Sequence, residues 1–370
     1  MAKRILQVVS SMNRGGLETY IMNLYRHIDR SKVQFDFLVH TTKHCAYDDE
    51  IRNLGGKIYS VTSRGKSILR NKLELHEFFK THKEYDTIHI HISCPTYIAP
   101  IVYAKRNGVK KIIVHSRNNV GAKGKFHDIC RFLNKPRIKK YATHYFAISN
   151  LAADNMYHKN ISREQIKIIP NAIDSEKFIF SKDIRAERRR AYGVEDKFVV
   201  GHVGRFAEQK NHMFLLETFK EIYEQCPNAV LMLVGEGSLE DKIRAKAQAL
   251  DIEEAVLFMG TFPDVENVMQ AMDVFLCPSL FEGFGRVLLE AQASGLPTFT
   301  SKRVVPDIIK VTELLEFISL EESPKVWAEH VLKYQKGYER YDMSQKIKAA
   351  NFDMKALATY FEDFYRDMEA

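Results

Sequence analysis

Short apolar runs and helix-length amphipathic segments alternate along almost the whole chain of 370 residues. The runs are rich in β-branched and aromatic residues, which is typical of strands in parallel βα units. Amphipathic stretches such as 17–28 and 68–82 lie between them and predict helices. The predicted strands cover residues 4–10, 34–40, 57–61, 86–92, 111–116, 144–149 and 166–171, and then 198–204, 229–235, 255–260, 274–279, 297–301 and 315–320. The sequence therefore predicts an α/β fold in which one pattern occurs twice.

A charged, helix-like segment at residues 175–197 separates the two series of strands. The chain is longer than one hydrophobic core normally supports, so two domains are expected. We predict an N-terminal domain of residues 1–172 and a C-terminal domain of residues 173–350, each a doubly wound sheet, facing each other across a cleft. Residues 351–370 carry apolar side chains at helical spacing, which predicts a helix on an apolar surface, and the N-terminal domain is a candidate for that surface.

Cysteine use and hydropathy indicate a reducing compartment. Five cysteines lie far apart without a C-x-x-C pair, which disfavours a disulfide framework and a zinc site. The apolar run after the basic start is too short for a signal peptide, and no run approaches the roughly 18 apolar residues of a membrane span. We expect a cytoplasmic protein.

The net charge of +8 is distributed unevenly along the chain. Residues 1–170 contain 30 lysines and arginines against 13 acidic residues, whereas the remainder contains 25 against 34. A basic half is typical of a surface for nucleic acid or for an anionic membrane, although diffuse surface charge gives the same count.

Glycine-rich turns after strands are candidate sites for anions, because backbone N–H groups and helix N-termini meet there. Gly15 and Gly16 follow the first strand and open a helix, without the G-x-G-x-x-G spacing of a dinucleotide site. Arg205 and Lys210 follow the first strand of the second series. These two cations are suited to a diphosphate, or alternatively are ordinary solvated surface charges.

Residues 281–297, FEGFGRVLLEAQASGLP, combine a turn with a helix that ends at Gly295 and Pro297. Glu282 lies in the turn and Glu290 about one helical turn inside the helix. A carboxylate accepts hydrogen bonds from paired sugar hydroxyls, so one glutamate for each sugar of a nucleotide-sugar is a plausible assignment. Phosphates would then meet the backbone N–H groups of the intervening Gly283, Phe284 and Gly285. Alternatively, both glutamates simply favour the helix dipole.

Three stretches together resemble one family: GGLET at 15–19, VGRFAEQKNH at 203–212 and PSLFEGFGRVLLEAQASGLP at 278–297. This set is similar to the retaining glycosyltransferases of family 4, and most of all to bacterial exopolysaccharide and capsule enzymes. The resemblance covers nearly the whole chain in the expected order. It implies the GT-B fold, with two facing Rossmann-like domains and a cleft between them.

The resemblance also implies roles for the residues of the C-terminal domain. Glu290 would bind the ribose of the donor nucleotide and Glu282 the donor sugar. Arg205 and Lys210 would bind the diphosphate and stabilise the departing nucleotide. Thr261 and Phe262, after Gly260, would present backbone to the base.

In the N-terminal domain, the resemblance implies that Gly15 and Gly16 lie near the donor phosphate and the acceptor. His115 in IIVHSRN ends a strand where relatives often place a histidine that faces the sugar and assists transfer. A core histidine is the alternative, because His89 and His91 also lie within a strand. The acceptor side is predicted to consist of four residues: Gly16, Glu18, His115 and Arg117.

The sequence contains no D-x-D motif, so we predict no metal and no cofactor. The resemblance implies a UDP-linked sugar as substrate. No nucleophile is assigned. One stretch departs from the family pattern: residues 301–323 lack the glycine-rich loop that many relatives have after the E-x7-E helix. That loop faces the donor sugar in relatives.

The sequence thus predicts transfer of a hexose-type sugar from a nucleotide donor to a saccharide acceptor, lipid-linked, in surface polysaccharide synthesis. Basic segments 64–72, 105–111 and 123–140, the last with Phe126, Phe132 and Leu133, are suited to peripheral binding at the anionic inner membrane face. A GT-B nucleotide-sugar epimerase or a phosphorylase is an alternative. A non-catalytic nucleic-acid-binding protein is a remote one, because stacking aromatics and repeat modules are not apparent.

Overall fold

The computed structural model describes residues 2–118 and 124–366. Its thirteen strands are β1 (Lys3–Val9), β2 (Val33–Val39), β3 (Ile58–Ser60), β4 (Thr87–Ile92), β5 (Lys111–Ser116), β6 (His144–Ala147), β7 (Ile166–Ile168), β8 (Phe198–Val203), β9 (Ala229–Val234), β10 (Val256–Gly260), β11 (Val274–Cys277), β12 (Thr298–Ser301) and β13 (Leu315–Ile318). Every strand falls on one of the predicted apolar runs, so the repeated βα pattern is confirmed.

The helices connect these strands in turn. They are α1 (Gly16–His27), α2 (Asp48–Asn53), α3 (Ile68–Thr81), α4 (Ala99–Arg106), α5 (Lys125–Tyr141), α6 (Asn150–Met156), α7 (Lys182–Ala191), α8 (His212–Gln225), α9 (Glu240–Ala249), α10 (Val265–Ala271), α11 (Arg286–Ala293), α12 (Pro324–Leu332), α13 (Ser344–Ala349) and α14 (Met354–Arg366). Among the helices of residues 2–118 and 124–366, none is both long and apolar enough to cross a bilayer.

The chain forms two compact units. The N-terminal unit contains the residues up to Ala172 together with those from Met354 onward, and the C-terminal unit spans Ile173–Asp353. The predicted divisions lie after residues 172 and 350. Residues 175–197, expected to connect the two series of strands, form a short 3-10 helix, Ser175–Phe178, and α7 within the C-terminal unit.

The N-terminal unit is built on a parallel seven-stranded sheet in the order β3-β2-β1-β4-β5-β6-β7. Strand β2 is buried along its whole length, including Gln34 and Asp36, whose side chains are hydrogen-bonded to Tyr25 and Arg4. Helix α14 packs on α1, β1 and β2 through side chains that include Phe361 and Tyr365, both 0% exposed. This apolar face is the one predicted from the helical spacing of its residues.

The C-terminal unit is built on a parallel six-stranded sheet in the order β10-β9-β8-β11-β12-β13. Helices α8 and α12 pack against each other, and their core includes Trp327, which is 0% exposed. Both sheets run outward in two directions from a central pair of strands. This is the doubly wound, Rossmann-like arrangement, so the α/β fold class is confirmed.

Candidate functional site

Ligands of open parallel sheets bind at the carboxyl ends of the strands, where the strand order reverses. The order reverses between β8 and β11 in the C-terminal unit and between β1 and β4 in the N-terminal unit. Arg205 and Lys210 follow β8, and Glu282 follows β11. Gly15 and Gly16 follow β1. The topology of each unit therefore brings its predicted residues to its own switch point.

Lys210 and Glu282 form an ion pair at the switch point of the C-terminal unit. The distance from Lys210 Nζ to Glu282 Oε1 is 2.7 Å, and the two side chains are only 12% and 9% exposed. The Ser279 hydroxyl donates to the same oxygen at 2.9 Å, and the Gln209 amide donates to Oε2 at 3.3 Å. The two residues that the sequence assigned separately to diphosphate and sugar thus share one cluster.

The charge of Lys210 is secured by its partner. Burial disfavours the ammonium, but Glu282, with smaller contributions from Cys277 and Glu290, raises the pKa of Lys210 above its ordinary value. Lys210 is therefore a cation at neutral pH. Within residues 2–118 and 124–366 the ammonium bonds only Glu282, so two of its three N–H donors remain for a ligand oxygen.

The turn that carries Arg205 is fixed by backbone packing. A Cβ on Gly235 would collide with the carbonyl oxygen of Gly204, and a Cβ on Gly237 would collide with the backbone of Phe206. Only glycine permits this close approach of the turns after β8 and β9. The Arg205 side chain itself is exposed and has no partner in the part of the chain that the structure describes. Its planar guanidinium is free to bind phosphate oxygens.

The predicted base-binding residues lie after β10. Thr261 is exposed, and its hydroxyl donates to Glu236 Oε1 at 3.2 Å. Phe262 is half-buried, with its ring edge-on to that of Tyr192 at 6.3 Å between centroids. Glu236, which lies in the turn after β9, is not among the residues predicted from the sequence.

Glu290 lies inside α11 and is 6% exposed. Its Oε1 lies 3.1 Å from Nε of Arg286, one helical turn earlier. Arg286 Nη1 is buried and has no hydrogen-bond partner in the described part of the chain. Gly285, which caps α11 with a φ of 83°, turns the chain so that Arg286 starts the helix. Sequence reasoning missed Arg286, although its spacing of four from Glu290 was the signal for this pair.

The remaining residues of this turn differ in what they offer a ligand. Phe284 is 2% exposed, and its ring lies 5.7 Å from that of Phe352. The Phe284 side chain therefore belongs to the core, which leaves its backbone for a ligand. Gly283 is half-buried.

In the N-terminal unit, Gly15 caps α1 and Gly16 is its first residue. A Cβ on Gly15 would collide with Oε2 of Glu18, so the Glu18 carboxylate folds back over the first turn of α1. A carboxylate is favoured there by the positive end of the helix dipole. Gly16 is exposed, and a Cβ on it would meet no atom within 4 Å. An anionic ligand at this end of α1 would therefore compete with Glu18.

Arg117 follows β5 and is 8% exposed. Its guanidinium lies over the ring of Tyr20, 4.1 Å from the centroid, and donates to Asn171 Oδ1 at 2.6 Å. It forms no ion pair with a carboxylate of residues 2–118 or 124–366. Burial lowers the pKa of Arg117, yet an arginine stays charged. Arg117 thus lies beside the first turn of α1, where the Glu18 carboxylate favours its positive charge.

His115 is 0% exposed. Its Nδ1 lies 3.1 Å from Nε2 of His89, and its Nε2 accepts a hydrogen bond from Arg117 at 3.1 Å. Both ring nitrogens are therefore used inside the unit, as expected for the core histidine that the sequence left as an alternative. A part for His115 in sugar transfer stays a prediction, which this geometry restricts to its backbone.

His89, His91 and His115 place ring nitrogens within 4.8 Å of one another, as a metal site would. However, His89 Nε2 and His115 Nδ1 face each other at hydrogen-bonding distance, and the Arg117 guanidinium bonds the far side of His115. A cation inserted here would break both bonds and lie next to a fixed positive charge. We interpret the three residues as a hydrogen-bonded cluster.

Two Rossmann-like units, with a buried carboxylate–ammonium pair and a free guanidinium at the switch point of the second, define a GT-B glycosyltransferase. The sequence pattern described as Glycosyltransferase Family 4 matches residues 14–177, and that described as Glycosyl transferases group 1 matches residues 184–350. EpsF, a candidate glycosyltransferase of Bacillus subtilis (strain 168), is 37% identical over 339 residues, covering 90% of this chain and 87% of EpsF. The chain belongs to family 4 of the glycosyltransferases.

Other relatives extend this comparison. The capsular polysaccharide biosynthesis glycosyltransferase CapH of Staphylococcus aureus is 24% identical, over 89% of this chain and 90% of CapH. An Escherichia coli UDP-Gal:alpha-D-GlcNAc-diphosphoundecaprenol alpha-1,3-galactosyltransferase is 29% identical, over 63% of this chain and 62% of that enzyme. The crystal structure of Anabaena Alr3699/HepE in complex with UDP has the same fold, with a TM-score of 0.72 at 19% identity over 98% of this chain and 97% of that one.

Proposed function

We propose that the protein is a retaining, metal-independent glycosyltransferase of surface polysaccharide synthesis. It moves a hexose from a UDP-sugar to a lipid-linked saccharide. The C-terminal unit binds the donor, and the N-terminal unit binds the acceptor through Gly16, Glu18 and Arg117 and the backbone of His115.

One observation carries this proposal: the Lys210–Glu282 pair, with the exposed Arg205 on the same turn. When the bond between sugar and diphosphate breaks, negative charge grows on the leaving phosphate. Lys210 and Arg205 would stabilise that charge, and Lys210 is already held in place by Glu282, so little reorganisation is needed. Removing one such group typically lowers kcat by about 100-fold to 1,000-fold.

Glu282 is better suited to binding the sugar than to attacking it. Its Oε1 already accepts hydrogen bonds from Lys210 and Ser279, and these bonds withdraw charge from the carboxylate. The proposal therefore gives Glu282 the hydroxyls of the donor sugar and assigns no nucleophile. Retention would then follow from departure and attack on one face of the sugar, as the family resemblance implies.

Relatives support the choice of substrates. The name of the Escherichia coli enzyme states a UDP-linked donor and a diphosphoundecaprenol-linked acceptor, and the Anabaena protein was crystallised with UDP. The capsule enzyme of Staphylococcus aureus supports surface polysaccharide as the product.

The first test is a thermal-shift screen of UDP, GDP, ADP and their sugar conjugates, because a ligand that binds only the folded state raises Tm. We expect uridine nucleotides to raise Tm, and Glu290→Ala to remove the effect. Glu240→Ala, on the exposed face of α9, is the matched control and should bind as wild type does. A shift with guanosine nucleotides only would overturn the assigned donor class, and no shift with any nucleotide would contradict donor binding at this site.

We also propose that the N-terminal unit docks on an anionic membrane. Helix α5 has seventeen residues but buries only Ile138, and it exposes large apolar side chains near its start. Helix α3 likewise exposes apolar side chains in its first two turns. The exposed residues are Ile68 (53%), Leu69 (71%), Leu73 (61%), Phe126 (72%), Ile129 (59%), Phe132 (79%) and Leu133 (57%).

These two groups of apolar residues flank the loop between β4 and α4. Arg64 donates to Thr96 from the α3 side at 3.3 Å, and Asn134 donates to Pro95 O from the α5 side at 3.0 Å. Lysines and arginines of segment 64–72 and of residues 125–140 accompany them, while residue 123 of the predicted segment lies outside the described residues. Apolar side chains among basic residues favour binding to anionic lipid. The third predicted segment, 105–111, precedes β5 and so lies at the opposite edge of the sheet.

Vesicle co-sedimentation tests the docking. We expect recovery with vesicles that contain phosphatidylglycerol, little recovery with phosphatidylcholine alone, and a loss of about tenfold for Phe126→Ser/Phe132→Ser, because each buried apolar side chain contributes about 1.5–3 kcal/mol at most. Ile308→Ser, at an exposed isoleucine of the C-terminal unit, is the control. Equal recovery of wild type and the double variant would contradict docking through α5.

A further inference from the structure

The buried histidines of the N-terminal unit form one continuous chain of hydrogen bonds. It runs from Arg117 to His115 (3.1 Å), from His115 to His89 (3.1 Å), and from His89 Nδ1 to the hydroxyl of Tyr365 (2.6 Å). All four side chains are at most 8% exposed. His115 lies on β5, His89 lies on the adjacent β4, and Tyr365 lies on α14. This series of hydrogen bonds thus connects the carboxyl edge of the sheet with helix α14.

We infer the direction of the bonds in this chain from Arg117, because a guanidinium can only donate. The Ile169 carbonyl also acts on His115, and the Gln7 side chain on the Tyr365 hydroxyl. His115 Nε2 must therefore be the unprotonated, accepting nitrogen. Burial lowers the pKa of His89 and of His115 well below its ordinary value, so each ring is neutral and carries one proton. The His115 proton is then on Nδ1 and is donated to His89 Nε2, and the His89 proton is on Nδ1 and is donated to Tyr365 Oη.

The opposite direction leaves two groups in conflict. If the Tyr365 hydroxyl donated to His89 Nδ1, the proton of His89 would sit on Nε2 and point at Nδ1 of His115. Nδ1 of His115 would then have to be unprotonated. The proton of His115 would lie on Nε2, where it faces the N–H groups of Arg117. Two donors facing each other in a buried site lose a hydrogen bond and leave both groups unpaired, which costs about 1–3 kcal/mol for each.

Few groups hold Arg117 in place. Its guanidinium bonds Asn171 and lies over the face of Tyr20, and the Glu18 carboxylate favours its charge without a hydrogen-bonded ion pair. The accepting nitrogen of His115 therefore contributes to both the position and the charge stabilisation of this guanidinium.

We propose that Tyr365 is a positioning residue for the acceptor site. Its hydroxyl oxygen accepts a hydrogen bond from the N–H group of His89. This bond fixes the tautomers of His89 and His115, and so keeps an unprotonated nitrogen of His115 facing Arg117. This inference rests on the proposed function only where it gives Arg117 to the acceptor. It assigns a role in the acceptor site to α14, which is distant from that site in sequence.

Nitrogen NMR on protein with labelled histidine and arginine tests the chain without any substrate. In wild type, His89 and His115 are expected as Nδ1–H tautomers, and the Arg117 guanidinium as slowly rotating. In Tyr365→Phe, which keeps the ring, we expect a mixture of tautomers and faster rotation of Arg117. Tyr360→Phe is the control, because Tyr360 is a half-buried tyrosine of the same helix that takes no part in these hydrogen bonds. Nε2–H tautomers in wild type would overturn the proposal.

Kinetics then separate positioning from general stability. Tyr365→Phe is expected to raise KM for the acceptor about tenfold while KM for the donor stays within about twofold, and Tyr360→Phe to change neither. Unchanged acceptor KM with altered tautomers would overturn the link to the acceptor site. If wild type transfers sugar to no acceptor, the proposed function fails, whereas the NMR result still decides whether Tyr365 positions Arg117. Zinc titration is a further test. If zinc shifts the signals of His89, His91 and His115 together, the three residues form a metal site and the proposal is overturned.

Discussion

At the residue scale, the Lys210–Glu282 pair is expected to affect both the stability of the protein and its catalysis. Each group is buried and charged, and removing one partner leaves the other without compensation. The pair therefore predicts different outcomes for single and double variants.

Lys210→Met is expected to lower kcat by about 100-fold or more and the free energy of unfolding by about 3 kcal/mol, because Glu282 stays buried without its cation. The double variant Lys210→Met/Glu282→Gln should recover most of the stability and none of the activity. Urea unfolding and initial rates measure the two effects. A single variant as active as wild type would remove Lys210 from the donor site.

Arg286 is the residue whose role the structure adds. Arg286→Leu is expected to weaken UDP binding about tenfold, because Glu290 loses the partner that orients its carboxylate and the site loses a cation. Isothermal titration measures the affinity. Arg244→Leu is the matched control, since Arg244 makes the same i,i+4 pair with Glu240 on the exposed surface of α9. Equal affinities of the two variants would contradict a role of Arg286 in binding UDP.

At the element scale, Arg340 joins the ends of two helices. Its guanidinium donates to the carbonyl of Ser294, at the end of α11, at 2.9 Å, and to Gln270 and Met272, at the end of α10, at 3.1 Å each. Carbonyls at a helix C-terminus have no partner within the helix and carry partial negative charge. Arg185 donates to the same Gln270 and Met272 carbonyls at 3.0 and 2.8 Å, so the end of α10 has two cationic donors. Ser294 is bonded by Arg340, and burial lowers the pKa of Arg340 to about 9.

Arg340→Met is expected to lower the free energy of unfolding by about 2 kcal/mol, because the Ser294 carbonyl loses its charged donor while the Gln270 and Met272 carbonyls keep Arg185. The stability of Arg340→Lys should lie between that of wild type and that of Arg340→Met, since an ammonium keeps the charge but lacks the planar arrangement of donors. Denaturant unfolding measures both. Arg163→Met, which removes an exposed pair with Asp154, is the control, and a loss as small as its own would contradict the role of Arg340.

Elements built from local patterns were predictable from the sequence, and contacts between distant elements were not. The strands were predicted from apolar runs. The turn and helix that carry Glu282 and Glu290 were predicted from the positions of glycines and apolar residues within residues 281–297. The bonds of Arg340 span 46 to 70 residues, and no local pattern marks them. His115 showed the same limit: its residue type was visible in the sequence, but its bonds to His89 and Arg117 depend on the neighbouring strand.

At the scale of the whole molecule, five buried histidines, His89, His91, His115, His202 and His212, make stability depend on pH. Burial lowers the pKa of all five, that of His212 to about 4. In the unfolded chain they titrate near 6.5. Below that pH the unfolded chain binds protons that the folded protein does not, so their contribution is full above about pH 6.5 and is lost as pH falls.

Urea unfolding at pH 7.5 and pH 5.5 checks this dependence, in a window where most carboxylates stay ionised. Each buried histidine is expected to add up to about 1.4 kcal/mol of lost stability per pH unit below 6.5. The folded protein should therefore lose several kcal/mol between the two pH values. Equal stability at both would show that the histidines accept protons in the folded state.

The N-terminal unit is assembled from two separate parts of the chain, with all of Ile173–Asp353 between them. Translation proceeds from the N-terminus, so β1 to β7 leave the ribosome long before α14. Until α14 arrives, the apolar faces of α1, β1 and β2 that it covers remain exposed to solvent, and His89 lacks Tyr365. The first unit to begin synthesis is therefore the last to be completed, and the C-terminal unit can fold while its neighbour is still open.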